Sequence, residues 1–145
     1  MHKVLFLCTG NSARSILAEV LLNDLDAGRF QGFSAGSKPV GKVNPGALNV
    51  LKANGHSVNG LRSKSWDEFS GKDAVRLDTV VTVCDNAAAE TCPVWSGAPR
   101  ALHWGLPDPA AYNDHEERLQ AFARTYRELQ TRIAEWIVLE ESAAQ

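Results

Sequence analysis

No apolar run in the sequence is longer than the strand-length stretch Val4–Cys8, far short of the ~20 residues that cross a bilayer. That stretch also lies too near Met1 to be a secretory signal, so a cytoplasmic protein with no membrane partner is expected. Nor is there an excess of positive charge. Fifteen Lys and Arg stand against 17 Asp and Glu, a net charge of -2, which gives no electrostatic footprint for nucleic acid. His2, His56, His103 and His115 keep no metal-ligand spacing, and neither a Cys-x-x-Cys pair nor a common zinc spacing occurs. Three cysteines in 145 residues are too sparse for a disulfide-stapled secreted domain, and an odd number cannot all pair within one chain. Repeats, low-complexity tracts and linkers are missing as well. What remains is 44% apolar and 22% charged residues, enough for one packed domain. It is expected to span residues 1–139 with a short tail over 140–145, and to be a monomer.

Hydrophobic patterning supplies the architecture. Val4 to Leu7 and Thr79 to Cys84 are continuous apolar or β-branched runs, as in parallel strands covered on both faces. Phe30 to Gly36 and Arg100 to Trp104 read as weaker strands. Leu17, Leu21 and Leu25 lie on one helical line that ends before Gly28, and Asn44-Pro45-Gly46 opens a second helix that stops at Gly55. A short helix is expected at Trp66 to Phe69, and Asp85 to Pro99 reads as a loop or part-helical insertion. The surest helix carries Leu119, Phe122, Tyr126, Leu129, Ile133 and Trp136 at a 3.6 period, with Asn113 and Glu116 spaced as an N-cap pair. Strands alternating with helices predict an α/β, flavodoxin-like, doubly wound parallel sheet of four strands in the order 2-1-3-4. The first and third strands are then neighbours, and Cys8 and Cys84 fall together at their carboxyl ends, where such folds bind ligands.

Cys8-Thr9-Gly10-Asn11-Ser12-Ala13-Arg14-Ser15 joins a buried strand to a helix N-terminus. Successive amides of such a loop form an anion nest, the helix adds its positive end, and Arg14 can clamp a tetrahedral oxyanion with two N–H groups. The same field predicts a depressed pKa and a nucleophilic thiolate at Cys8, with Ser15 positioned to donate to the sulfur. Read alone, Cys8 is also compatible with a buried structural thiol, the weaker reading in this strand–loop–helix context. Asp108, in Leu106-Pro107-Asp108-Pro109, follows the fourth strand and can reach the same crevice as a proton donor, although a proline-flanked turn Asp needs no such role. Cys84 can approach Cys8 closely enough for a disulfide, and Cys92, seven intervening residues later, reads as a loop thiol or as its partner.

These residues resemble the low-molecular-weight protein tyrosine phosphatases and the arsenate reductases that share their fold. The loop Cys8 to Ser15 carries the likeness to both. Ser63-Lys64-Ser65-Trp66, Val80 to Asp85, Cys92-Pro93-Val94-Trp95 and His103 to Pro109 carry it toward the reductase branch. The resemblance implies that Cys8 attacks arsenate held by Arg14 and the amides of the loop residues Thr9, Gly10, Asn11, Ser12 and Ala13, with Asp108 protonating the departing oxygen. Cys84 then releases arsenite as a Cys8–Cys84 disulfide, and Cys92 converts this to Cys84–Cys92. Asn11 and Ser15 orient the loop and assist the sulfur. No tightly bound cofactor is implied. An external thiol reductant is: thioredoxin, or glutathione with glutaredoxin, since the interval from Cys84 to Cys92 is one residue longer than in thioredoxin-coupled relatives. Phosphate and sulfate are expected as competing oxyanions. Asn11, Glu19, Ser34 and Asp67 match positions that bind a potassium ion in some members. The alternative is a phosphatase acting on phosphoesters, for which Ala110 and Ala111 stand where phosphatases commonly carry an aromatic pair.

Overall fold

The computed structural model describes residues 1–90 and 92–144. Four parallel strands, β1 (His2–Leu7), β2 (Phe30–Ala35), β3 (Thr79–Thr82) and β4 (Arg100–His103), form one sheet in the order β2-β1-β3-β4. They alternate with helices α1 (Arg14–Leu25), α2 (Pro45–Ala53), α3 (Asp85–Ala89) and α4 (His115–Ala144), and with 3₁₀ turns at Trp66–Phe69 and Pro109–Ala111. This is the expected flavodoxin-like doubly wound topology. Among the described residues, no helix is long and apolar enough to cross a membrane.

The strand residues explain why both faces of the sheet are covered. Val4, Leu5 and Phe6 of β1 are fully buried, as a central parallel strand requires. In β2, Phe30 and Phe33 are an odd number of residues apart and therefore point to opposite faces. Phe30 packs against Trp136 of α4, and Phe33 against Phe69. Helices α1, α2 and α4 pack on one another, and His56, after α2, joins Asp24 of α1 (2.5 Å) to Tyr126 of α4 (2.6 Å).

Several boundaries differ from the sequence expectation. The tail expected from residue 140 is instead the last turns of α4, because Glu140 and Glu141 pair with Arg100 and Arg29 and so tie those turns to the body. Gln145 lies outside the described residues. Asn113 does not cap α4. Asp114 does, its Oδ2 accepting the Glu117 amide at 2.9 Å, while Asn113 offers only its carbonyl, to Arg118. Strands β3 and β4 close at Thr82 and His103, with Val83 and Trp104 still donating to Leu7 (2.9 Å) and Thr82 (2.8 Å).

The register positions the site. Leu7 lies opposite both Ala35 of β2 and Thr82 of β3, so the chain leaves β1 at Cys8 beside the segment that runs from β3 into Cys84.

Candidate active site

The loop from Cys8 to α1 is held from outside by its carbonyls. Thr9 O accepts from Lys38 N (2.9 Å), Gly10 O from Val40 N (3.1 Å) and Ser63 Oγ (3.1 Å), and Ser12 O from Asn44 N (2.8 Å). With these carbonyls engaged outward, the amides of Ser12, Ala13 and Arg14 have no acceptor among the described residues, and α1 begins without a side-chain cap. Unsatisfied donors at a helix N-terminus are what an oxyanion requires. Asn11 is fully buried with a left-handed φ of 44°. Its carboxamide stabilises that conformation by donating to Ser15 Oγ (2.8 Å) and accepting from Lys64 N (2.8 Å). Ser15, also fully buried, thus accepts one hydrogen bond and keeps its own proton to donate.

Gly36 is indispensable to this packing, and sequence reasoning did not single it out. A Cβ there would stand 2.4 Å from Thr9 O and 2.5 Å from Cys8 O, both backbone atoms that cannot yield. Its signal was its position at the end of β2, where a glycine marks close backbone approach. Ser63 and Glu90 were missed as loop contacts because nothing local reports a partner more than 50 residues away.

The structure brings Cys8 and Cys84 together. Both are buried and reduced, and their thiols lie close enough to shift one another's ionisation. Cys84 also accepts from Thr9 N at 3.4 Å. Its pKa is pushed down to about 5, first by the adjoining Cys8 thiol and then, against burial, by the amide of Thr9 and the nearby amide of Ala87, which closes no cap on α3. Cys8 moves the other way. Beside Cys84 and buried, it is held well above the ordinary thiol range, although Arg14 and the Gly10 amide pull it down. In the resting pair the depression expected at Cys8 thus meets the opposite pull of the neighbouring thiol and of burial, and the two sulfurs titrate as a coupled pair. Thr9 corrects a second expectation. Its amide serves Cys84 and its hydroxyl donates to Glu90 (2.8 Å), so neither faces an oxyanion. The Asn11 amide is likewise taken, by Cys8 O at 3.3 Å.

Arg14 is half-buried and donates from Nη1 to Leu106 O at 2.8 Å. This bond fixes the Asp108 loop to the Cys8 loop. Asp108 is exposed at the start of the second 3₁₀ turn, where Oδ1 accepts from Ala110 N (2.9 Å) and Oδ2 is free of that bond. Cys92 is free and exposed, at the edge of a cavity of about 360 Å³ walled by Ala87, Ala88, Trp95 and Leu102.

The potassium positions do not fit a bound ion. Ser34 and Glu19 do converge, with Ser34 Oγ donating to Glu19 Oε1 at 2.7 Å, but they converge on the Lys64 ammonium, which already lies 2.9 Å from Ser34 O and 3.7 Å from Glu19 Oε1. The Asn11 carboxamide oxygen is engaged by Lys64 N, and Asp67 is exposed.

A family profile described as low molecular weight phosphotyrosine protein phosphatase matches residues 3–144. The chain belongs to that family. Within the low molecular weight phosphatase family it is 36% identical over 131 residues to an arsenate reductase of Halalkalibacterium halodurans, covering 90% of this chain and 91% of that one. The thioredoxin-dependent arsenate reductase of Corynebacterium glutamicum superposes with a TM-score of 0.72 at 26% identity, over 98% of this chain and 63% of that one. A low molecular weight phosphotyrosine phosphatase from Vibrio cholerae superposes over the full length of both chains with a TM-score of 0.78 at 20% identity, which establishes the shared fold.

Proposed function

We propose that the protein is an arsenate reductase. The observation that carries this reading is the second thiol: Cys84 stands against the Cys8 loop inside the crevice, its sulfur accepting from Thr9 N at 3.4 Å, a placement that ester hydrolysis does not use and that reduction requires. Similarity to curated arsenate reductases over nine-tenths of the chain supports it.

In the proposed reaction arsenate is held by the free loop amides and by Arg14. Cys8 passes its proton to the Cys84 thiolate as its sulfur attacks arsenic, and Asp108 protonates the oxygen that leaves as water. Cys84, its proton passed on to solvent, attacks the Cys8 sulfur. The Cys8–Cys84 bond forms, the sulfur–arsenic bond breaks with its electron pair moving to arsenic, and arsenite departs. Two thiols have been oxidised and As(V) reduced to As(III). Cys92 then attacks Cys84, which frees Cys8 and leaves Cys84–Cys92 for an external dithiol or thiol. Thioredoxin is the proposed reductant on the likeness to the thioredoxin-dependent enzyme, with glutathione and glutaredoxin as the competing system.

The experiment is arsenate-dependent NADPH consumption with each reducing system, in wild type, Cys84→Ser and Cys92→Ser. Turnover that requires Cys84, with at most one turnover in Cys92→Ser under thioredoxin, is the expected result. Hydrolysis of an aryl phosphate that ignores Cys84, with no arsenate turnover, would replace the reading with a phosphatase.

A further inference from the structure

Next to Asn11 of the oxyanion loop, an ammonium is enclosed by oxygens. Lys64 Nζ lies 2.9 Å from Ser34 O, 3.0 Å from Arg62 O, 3.5 Å from Ser34 Oγ and 3.7 Å from Glu19 Oε1. The enclosure is built from three parts of the chain: the end of β2, the second turn of α1 and the segment before the first 3₁₀ turn. It is also largely withdrawn from water, with Ser34 fully buried and the Lys64 and Glu19 side chains 11% and 17% exposed. A charge in such surroundings is costly unless paired and hydrogen-bonded. Here two backbone carbonyls, a hydroxyl and a carboxylate supply both needs. Burial lowers the Lys64 pKa, and Glu19 opposes that shift.

The same residue touches the loop through its backbone. Lys64 N donates to Asn11 Oδ1 at 2.8 Å and Lys64 O accepts from Gly36 N at 3.0 Å. Asn11 holds Ser15, and Gly36 is the surface on which Cys8 O and Thr9 O rest. The ammonium therefore fixes the position of a backbone segment on which the loop is braced.

We propose that Lys64 is a built-in monovalent cation for this brace: its ammonium holds the oxygens that would otherwise collect a potassium ion, and it acts as a positioning residue for the oxyanion loop. A compact, hydrated ammonium with three donors suits this role better than a forked guanidinium. The protein consequently has no requirement for a monovalent cation in solution.

The test reads inorganic phosphate binding by calorimetry and thermal stability in KCl, NaCl and tetramethylammonium chloride at equal ionic strength. Both readouts belong to the loop itself, so the result is independent of whether arsenate is the substrate. Wild type is expected to be indifferent to the cation. Lys64→Ala is expected to bind phosphate roughly tenfold more weakly, about the worth of a hydrogen bond to a charged group, and to recover in KCl or methylammonium chloride but not in tetramethylammonium, which is too large for the enclosure. A merely structural lysine would give no cation-specific recovery. Lys64→Met, which fills the stem's space and carries no charge, is expected to show the same weakening and no recovery. The proposal is overturned if wild type gains phosphate affinity in KCl alone, if a folded Lys64→Ala responds to all three salts alike, or if Lys64→Met binds phosphate as wild type does. The last comparison decides the matter should Lys64→Ala fail to fold.

Discussion

Two segments carry the three cysteines, and the structure holds them very differently. The Cys8–Ser15 loop is braced by four outward carbonyl bonds, by the buried carboxamide of Asn11 and by close contact with Gly36. The described residues of the segment from Cys84 to Pro99 form a five-residue helix and irregular chain, in which Cys92 is exposed at the 360 Å³ cavity and Val94 is 91% exposed. The segment's ties lie toward its two ends, with Asp85 to His103 at 2.9 Å and Glu90 to Thr9 at 2.8 Å on one side and Leu77 N to Ser96 O at 2.9 Å and the Ser70–Trp95 bridge on the other, and they leave Cys92 to Val94 between them. Oxyanion chemistry depends on donors fixed within a fraction of an ångström, whereas a thiol relay needs a sulfur that can travel. Rigidity and looseness are thus assigned to the two halves of one proposed reaction.

The sharpest way to break the rigid half is Gly36→Ala. Its Cβ must displace the Thr9 and Cys8 carbonyls, and a shift of about 1 Å at a reacting atom costs on the order of 100-fold in rate. A loss of that size in kcat/KM for arsenate, together with weakened phosphate binding, is expected. Unchanged kinetics would mean that the loop is as tolerant as the distal segment. Asn11→Ala should follow in size. It deprives Lys64 N and Ser15 Oγ of their partners and places a residue unsuited to positive φ at 44°, for a destabilisation of about 3 kcal/mol, read from denaturant midpoints.

Much of this was legible before any coordinates. The apolar runs marked β1 and β3 as buried strands, the alternation of strands with helices pointed to the sheet order, and that order put Cys8 beside Cys84 without knowledge of any side chain. The invisible part is the set of contacts made by distant segments. Thr9 looked like a nest donor because the sequence cannot say that its amide meets a sulfur 75 residues on. Glu19 and Ser34 looked like ion ligands because the ammonium between them belongs to Lys64. The thiol pair misled for the same reason: a helix N-terminus and an arginine argue for a depressed Cys8, whereas the adjoining Cys84 first, and burial after it, push the other way.

That reversal is open to titration. In a Cys92→Ser background, thiolate absorbance near 240 nm reports Cys8 and Cys84 alone. The Cys84 pKa lies below its ordinary value, so the thiolate persists as pH falls and is lost only on passing about 5. The second ionisation, that of Cys8, should lie far to the alkaline side. Adding Cys84→Ala removes the largest cause of the Cys8 elevation, and its titration should then move to lower pH. An alkaline inflection that stays where it was would mean that burial, not the neighbouring sulfur, sets Cys8.

The smallest expected effect tests the loose half. His103 bonds Asp85 through Nε2 and Thr82 through Nδ1, the latter at 2.7 Å, and the Asp85 side chain is 90% exposed. Exposed ion pairs contribute roughly 0.2–1 kcal/mol, so His103→Ala should change global stability by less than about 1 kcal/mol. Its effect should be local. Amides of residues 85–90 are expected to exchange several-fold faster, because their opening no longer breaks the tie to β4, while amides of residues 8–17 exchange as before. Oxidation to the Cys84–Cys92 disulfide should alter the same amides in wild type, since drawing the two sulfurs together bends α3. If His103→Ala accelerates both sets equally, the loop and the distal segment open as one unit. The division of labour between them would then fail, even with every catalytic group in place.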